Sequence, residues 1–370
     1  MKILLVITGL SVGGAERQVV GMADFFSRKG HEVRLLYFQG AALMLPRSPE
    51  IKIESINLRK NIFSFVAAIP RIIKIINEFE PDVINTHLFH ANVVFRVLRI
   101  FHKMPVLISS AHNSNEGGVV RRFLYRATDS LCDVSTNVSL SAVRYFEKNR
   151  LVKNGAMRVM FNGIDEDAFY FDEAVRRRVR ESFLFSDDDR VVLAVGRLHK
   201  AKDYPNLLRA FSLSKQKLGS MFLIIVGDGE EKEVIIDLAV ELGISEAVII
   251  LGSRNDVPDL MNACDVFVLS SASEGFGLVL AEAMACKRVV VSTDCGGARE
   301  VMGETGFVVP PSNSAALATA ICRALTVPER ERSRMGELAR DRVKNYYSMS
   351  ASGDAWISLY DAAFKGKKIR

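Results

Sequence analysis

Short apolar runs alternate with helical patterns along the whole chain. In the first half they fall at residues 3–7, 33–38, 51–56, 82–85, 106–109 and 158–160. In the second they fall at 191–195, 222–226, 248–251, 266–269, 289–292 and 307–309. The runs lack in/out alternation, as expected of strands covered by helices on both faces. Such strands, separated by helical segments, predict right-handed βαβ units and parallel sheets. After the last run come helical patterns over 315–325 and 328–347, then an aromatic-bearing one around Trp356 and Tyr360.

A chain of 370 residues is too long for one ordinary core and predicts two domains. The turn signal Asn162-Gly163-Ile164-Asp165 stands ahead of the charged runs Arg176-Arg177-Arg178 and Asp187-Asp188-Asp189. These runs read as solvated linker or helix faces, since no nucleic-acid motif accompanies them. The expected division is 1–168 and 169–351, with a C-terminal helix over about 352–370 packing back on the first domain.

Composition adds exclusions. With 49% hydrophobic and 25% charged residues the chain reads as globular. The apolar start is shorter than a signal peptide and leads into glycine-rich sequence instead of a cleavage site. No stretch reaches the roughly 18 uncharged apolar residues of a membrane span; the longest candidate, 62–76, contains Pro70, Arg71 and Lys74. Five scattered cysteines, with no Cys-x-x-Cys pair, argue against a disulfide framework or zinc site and favour a reducing cytosol. Net charge is +6, but residues 1–180 hold 26 Lys+Arg against 17 Asp+Glu, and the remainder 23 against 26. A +9 half beside a −3 half allows random surface variation or an anionic partner for the first half, such as a membrane surface or a pyrophosphate.

Three strand-to-helix junctions carry candidate chemistry. The first run ends in Gly9-Leu10-Ser11-Val12-Gly13-Gly14-Ala15-Glu16, where glycines let backbone approach a ligand and helix N-terminal N–H groups suit phosphate. The spacing is not that of the dinucleotide fingerprint. Gly196-Arg197-Leu198 and Lys202 follow the first strand of the second half, offering a guanidinium fork and a point charge suited to a diphosphate. Ser273-Glu274-Gly275-Phe276-Gly277-Leu278-Val279 opens an apolar helix that contains Glu282. If both carboxylates were helical they would stand roughly 12 Å apart along the axis. The pair of a retaining glycosidase is only about 5–5.5 Å apart. Glu274 and Glu282 therefore read as acting separately on an extended ligand.

From end to end the chain resembles glycosyltransferase family 4 of the GT-B fold. The marks are the Gly13-Gly14-Ala15-Glu16 loop, Asn162-Gly163-Ile164-Asp165, Gly196-Arg197-Leu198 with Lys202, and Glu274 with Glu282 in the E-x7-E pattern. The resemblance implies an α/β architecture of two Rossmann-like, doubly wound parallel-sheet domains facing a cleft. It implies that the Gly13-Gly14 loop, through the Gly14 N–H, faces the donor β-phosphate and that Arg197 and Lys202 clamp the diphosphate. Glu274 would hold hydroxyls of the donor sugar and Glu282 those of the ribose. Arg254 and Asn255 match the backbone stretch at the nucleobase, and Phe276, Gly277, Leu278 and Val279 lie beside the diphosphate and sugar. His112 matches the first-domain histidine that faces the donor sugar; His87 and His90 are further candidates on the acceptor side. The family's Ala-x-Gly-x-Pro turn is replaced by Ala285-Cys286-Lys287-Arg288-Val289, without its glycine and proline.

The expected activity is that of a retaining glycosyltransferase. It would move a hexose or N-acetylhexosamine from a nucleotide sugar, UDP favoured, to a lipid-linked or saccharide acceptor in surface polysaccharide or glycolipid synthesis. Neither a metal nor another cofactor is expected, since no Asp-x-Asp stands at a strand end and no acidic ligand is spaced with the histidines. Residues 61–76 with Lys60, Arg71 and Lys74, and Phe123-Leu124-Tyr125 flanked by Arg121, Arg122 and Arg126, suit either packed domain helices or an anionic membrane surface. The expected location is cytoplasmic, with a peripheral place on the inner face of the cytoplasmic membrane under the second reading. Other readings are an NAD-dependent oxidoreductase, for which the first loop lacks the spacing, a sugar-nucleotide epimerase of the same fold, and a non-catalytic nucleotide-sensing module.

Overall fold

The computed structural model describes residues 1–58 and 62–366. Lys60 and Asn61, part of the first membrane candidate, lie outside them. The chain divides into two compact units, Met1–Gly163 with Met349–Arg370, and Ile164–Ser348. The first crossing thus falls ahead of residue 168, because Ile164 already belongs to the second unit: its N–H donates to the Tyr347 carbonyl, and it bridges to Ser348.

The first unit holds seven strands: β1 (Lys2–Ile7), β2 (Glu32–Tyr37), β3 (Lys52–Ser55), β4 (Val83–His87), β5 (Val106–Ser110), β6 (Val134–Asn137) and β7 (Met157–Val159). Their order is β3-β2-β1-β4-β5-β6-β7, and every ladder is parallel. Residues 3–7 are buried without interruption, as a strand covered on both faces requires. The helices are α1 (Gly14–Arg28), α2 (Ile62–Phe79), α3 (Phe89–Phe101), α4 (Val119–Thr128) and α5 (Leu140–Lys148). Ile72, Ile75, Ile76 and Phe79 of α2 enter the core against Leu4, Val6 and Ile84, so the described apolar face of this helix is a packed one.

The second unit begins with α6 (Glu173–Ser182) and holds β8 (Arg190–Val195), β9 (Met221–Val226), β10 (Val248–Ile250), β11 (Val266–Leu269), β12 (Val289–Thr293) and β13 (Phe307–Val309). The parallel order is β10-β9-β8-β11-β12-β13. Around it lie α7 (Tyr204–Leu218), α8 (Lys232–Glu241), α9 (Val257–Ala263), α10 (Leu278–Ala285), α11 (Gly297–Met302), α12 (Ser314–Leu325) and α13 (Glu329–Tyr346). The last helix, α14 (Met349–Phe364), belongs to the first unit, where Trp356 and Tyr360 join the core formed by β1 and α1. In both sheets the order reverses direction beside the first strand, and the loops at the strand C-terminal ends there are where doubly wound sheets take ligands. Among the described residues no helix is long and apolar enough to cross a membrane.

Candidate active site

In the second unit the C-terminal ends of β8, β9 and β10 are tied through backbone. Gly196 N–H donates to Val226 O, Leu198 N–H to Asp228 O, and Gly227 N–H to Gly252 O. Gly227 has φ 145°, and a Cβ there would run into the Gly196 carbonyl, so the loop bearing Arg197 depends on this close approach. The Gly227-Asp228-Gly229 stretch is a part of the site that sequence reading missed; its Gly-x-Gly after an apolar run was the available signal.

Lys202 stands on the same loop, which is fastened to the segment after β11. Ala272 N–H donates to Ala201 O, and Ser270 Oγ to Lys202 O. Its ammonium donates to Glu274 Oε1 at 2.5 Å, and Ser271 Oγ donates to the same oxygen at 2.7 Å. Both side chains of the ion pair are largely buried. Arg197 is exposed, and its guanidinium has no ion-pair partner among the described residues. One carboxylate and one lysine are therefore locked together, and the loop that bears the lysine also bears Arg197.

Glu274 is not helical. Its backbone bridges to Gly296, with Glu274 N–H donating to Cys295 O and Gly297 N–H to Glu274 O. The 12 Å helical spacing between the two glutamates accordingly does not apply, because α10 begins only at Leu278. Gly277 caps that helix in the left-handed region, so the first amides of Leu278 and Val279 are presented at an N-terminus, the arrangement that favours anions. Phe276 is buried edge-on against Tyr347. Glu282 lies inside α10 at 1% exposure, away from bulk water. Arg254 is exposed, and its side chain is held by both oxygens of Asp256, at 2.8 and 2.6 Å, which leaves the backbone of Arg254 and Asn255 as the part open to a ligand.

The turn after α10 forms without the family glycine. Lys287 takes φ 57° in its place, with Lys287 N–H on Met284 O and Arg288 N–H on Ala283 O. Lys287 Nζ reaches Glu337 at 2.6 Å, and Arg288 lies over the Phe171 ring, donating to Cys264 O.

In the first unit Gly13 is the N-cap of α1 and Gly14 its first residue, so the Gly14 amide belongs to a helix N-terminus. His112 follows β5 and meets His87, the last residue of β4. His90 is exposed in the first turn of α3. Among the described residues no three His, Cys, Asp or Glu side chains are grouped to hold a metal ion.

Residues 12–168 match Glycosyltransferase Family 4, and residues 175–342 match Glycosyl transferases group 1. The chain belongs to glycosyltransferase family 4. This family 4 enzyme is 25% identical over 376 residues to N-acetyl-alpha-D-glucosaminyl L-malate synthase of Bacillus anthracis, covering 97% of each chain. It is 25% identical over 369 residues to an N-acetylgalactosamine-N,N'-diacetylbacillosaminyl-diphospho-undecaprenol 4-alpha-N-acetylgalactosaminyltransferase of Campylobacter jejuni, covering 96% of this chain and 98% of that one. Its fold matches that of Anabaena Alr3699/HepE, crystallised with UDP, at a TM-score of 0.86 and 22% identity, over 98% of this chain and 100% of the other. The two parallel-sheet units are those of a GT-B glycosyltransferase.

Proposed function

We infer that this glycosyltransferase takes a hexose or N-acetylhexosamine from a UDP-sugar and transfers it, with retention, to a lipid-linked or saccharide acceptor. The observation that carries the reading is the Lys202–Glu274–Ser271 cluster beside the unpaired Arg197 at one end of the second sheet. Cleavage of the anomeric C–O bond leaves its electron pair on the diphosphate. Arg197, Lys202 and the first amides of α10 stabilise that charge. Glu274, already anchored by Lys202 and Ser271, holds sugar hydroxyls, and Glu282 holds the ribose. The acceptor hydroxyl forms the new bond on the same face as the leaving group, and its proton goes to the departing phosphate oxygen. No metal or other cofactor is required by these steps. The preference for UDP and an N-acetylhexosamine draws on the names of the relatives and the UDP held by the Anabaena protein.

The polyprenol-linked acceptor and an anionic membrane surface as partner draw on the Campylobacter relative and on α4. Val119, Val120 and Phe123 of that helix are 81%, 72% and 67% exposed, and Arg126 beside them is exposed as well. The corresponding place for the enzyme is cytoplasmic, peripheral to the inner face of the membrane.

The test is the shift in melting temperature with UDP, GDP, their sugar conjugates and NAD. A ligand at 100 times its Kd stabilises by about 2.7 kcal/mol. UDP and one UDP-sugar should raise the transition, and Arg197→Ala should abolish the rise. Glu274→Ala should cost about 10²–10³ in kcat, as for loss of one preorganised transition-state contact. A response to NAD alone, or unchanged turnover in Glu274→Ala, overturns the reading.

A further inference from the structure

Asp203-Tyr204-Pro205 opens α7 with residues suited to a helix start. Asp203 is the N-cap at φ 49°, its Oδ1 accepting from Asn206 N–H and its Oδ2 from Ser312 Oγ, and Pro205 suits the first turn. Tyr204, the first helical residue, is thereby turned inward, at 3% exposure. A buried tyrosine hydroxyl needs a hydrogen-bond partner. This one donates to the Gly196 carbonyl at 2.9 Å. Burial, and then the Glu274 carboxylate, push the phenol above its usual range, so the hydroxyl stays protonated at neutral pH.

The same carbonyl is confined by Gly227, where an added Cβ would stand 1.9 Å from Gly196 O. No peptide bond among the described residues is cis, so the Arg197 N–H points opposite to the Gly196 C=O, away from the Tyr204 hydroxyl. The neighbouring amides all have acceptors: Gly196 N–H donates to Val226 O, Leu198 N–H to Asp228 O and His199 N–H to Arg197 O. The Arg197 N–H has none among the described residues.

Lys202 lies against this peptide. A Cβ built on Gly196 would meet Lys202 Cε at 3.1 Å and Nζ at 3.5 Å, so the lysine stem and its ammonium cover the Gly196 Cα. A main-chain donor without an acceptor thus stands one residue from the place that Lys202 covers, wholly inside the second unit. Backbone amides held in a fixed direction stabilise anions because they need not reorient when the charge arrives. Gly196 has no side chain to stiffen its own backbone, so the direction of the following peptide depends on what holds its carbonyl. Gly227 supplies a steric wall there, and the Tyr204 hydroxyl supplies the attraction.

We propose that Tyr204 is a positioning residue: through the Gly196 carbonyl it directs the Arg197 N–H to a phosphate oxygen of the nucleotide, adding a main-chain donor to the side chains of Arg197 and Lys202. The assignment rests on the reading that Arg197 and Lys202 take the diphosphate. Gly196-Arg197 is the only Gly-Arg pair in the sequence. The full chain labelled with ¹³C-carbonyl glycine and ¹⁵N-arginine therefore gives a single amide-to-carbonyl correlation peak, that of Arg197. Saturation with UDP should move its proton downfield, and saturation with uridine should leave it in place. Tyr204→Phe should displace the Gly196 carbonyl resonance before ligand is added and remove most of the response to UDP. It should also weaken UDP binding by about tenfold, the low end for a hydrogen bond to a charged group, with uridine affinity unchanged. Equal weakening of UDP and uridine, or of neither, makes the hydroxyl a packing group and overturns the proposal. So does a wild-type Arg197 amide that stays in place while calorimetry shows UDP bound, or that uridine moves as far, and neither result depends on the variant. If calorimetry shows no UDP binding to the wild type, the diphosphate reading fails instead, and the role of Tyr204 with it.

Discussion

At the scale of single residues, the site depends on backbone contacts that leave no room for a side chain. Gly296 has φ 78°, and a Cβ built on it would collide with the Glu274 carbonyl. Gly296→Ala therefore meets two penalties at once: a left-handed backbone that alanine resists, and a backbone-to-backbone clash. Strained conformations of this type cost about 1–3 kcal/mol each, so urea unfolding of the variant should show at least that loss. Since relief of the clash moves Glu274 away from Lys202 and Ser271, turnover should fall as well; unchanged stability and turnover would mean that the Glu274 loop is not held by this bridge. Here part of the sequence was legible: the E-x7-E set is a specific pattern that singles out Glu274, and the structure adds the steric reason for the glycine that bridges to it. What could not be read was how the carboxylates are partnered. Lys202 and Glu274 are 72 positions apart, and only the parallel pairing of β8 with β11 makes them neighbours.

At the scale of elements, apolar runs located strands wherever burial was apolar. β6 shows the limit. Its sequence, Val134-Ser135-Thr136-Asn137, has no apolar run, yet all four residues are buried. Polar groups satisfy one another there: Arg96 donates to Ser135 Oγ, Thr136 Oγ1 to Ser110 Oγ, and Asn137 Nδ2 to Asn113 O. A strand stabilised by long-range hydrogen bonds carries no hydropathy signal. α4 is the converse case. Its pattern suits either a packed helix or a membrane face, and only Tyr125 and Thr128 are buried while Val119, Val120 and Phe123 face outward. An apolar face rimmed by cations on a helix of this kind inserts into the headgroup region of anionic bilayers. Flotation with phosphatidylglycerol-containing vesicles at low salt should carry the enzyme upward, and Val120→Asp with Phe123→Asp should release it without altering the melting curve. Failure of the wild type to float removes the membrane from the list of partners.

At the scale of the whole molecule, two compact units share one chain that passes between them twice. The buried residues of the core around β8, β9, α7 and α12 fall within 192–325, whereas Trp356 and Tyr360 return to complete the core of β1 and α1. Chains built in this way need not unfold in one step. Trp356 is 3% exposed, and Trp356→Ala should destabilise the first unit by about 3–5 kcal/mol through loss of transfer free energy and the cavity left behind. Calorimetry should then show a lower first transition with the second unmoved. UDP should act the other way round, raising chiefly the transition of the unit that carries Arg197, Lys202, Glu274 and Glu282. That combination assigns donor affinity to residues 164–348 and gives the helix that follows them a part in the stability of the first unit. A single transition displaced as a block by either change would instead mean that the two cores fold cooperatively, and the allocation of affinity to one unit would have to be withdrawn.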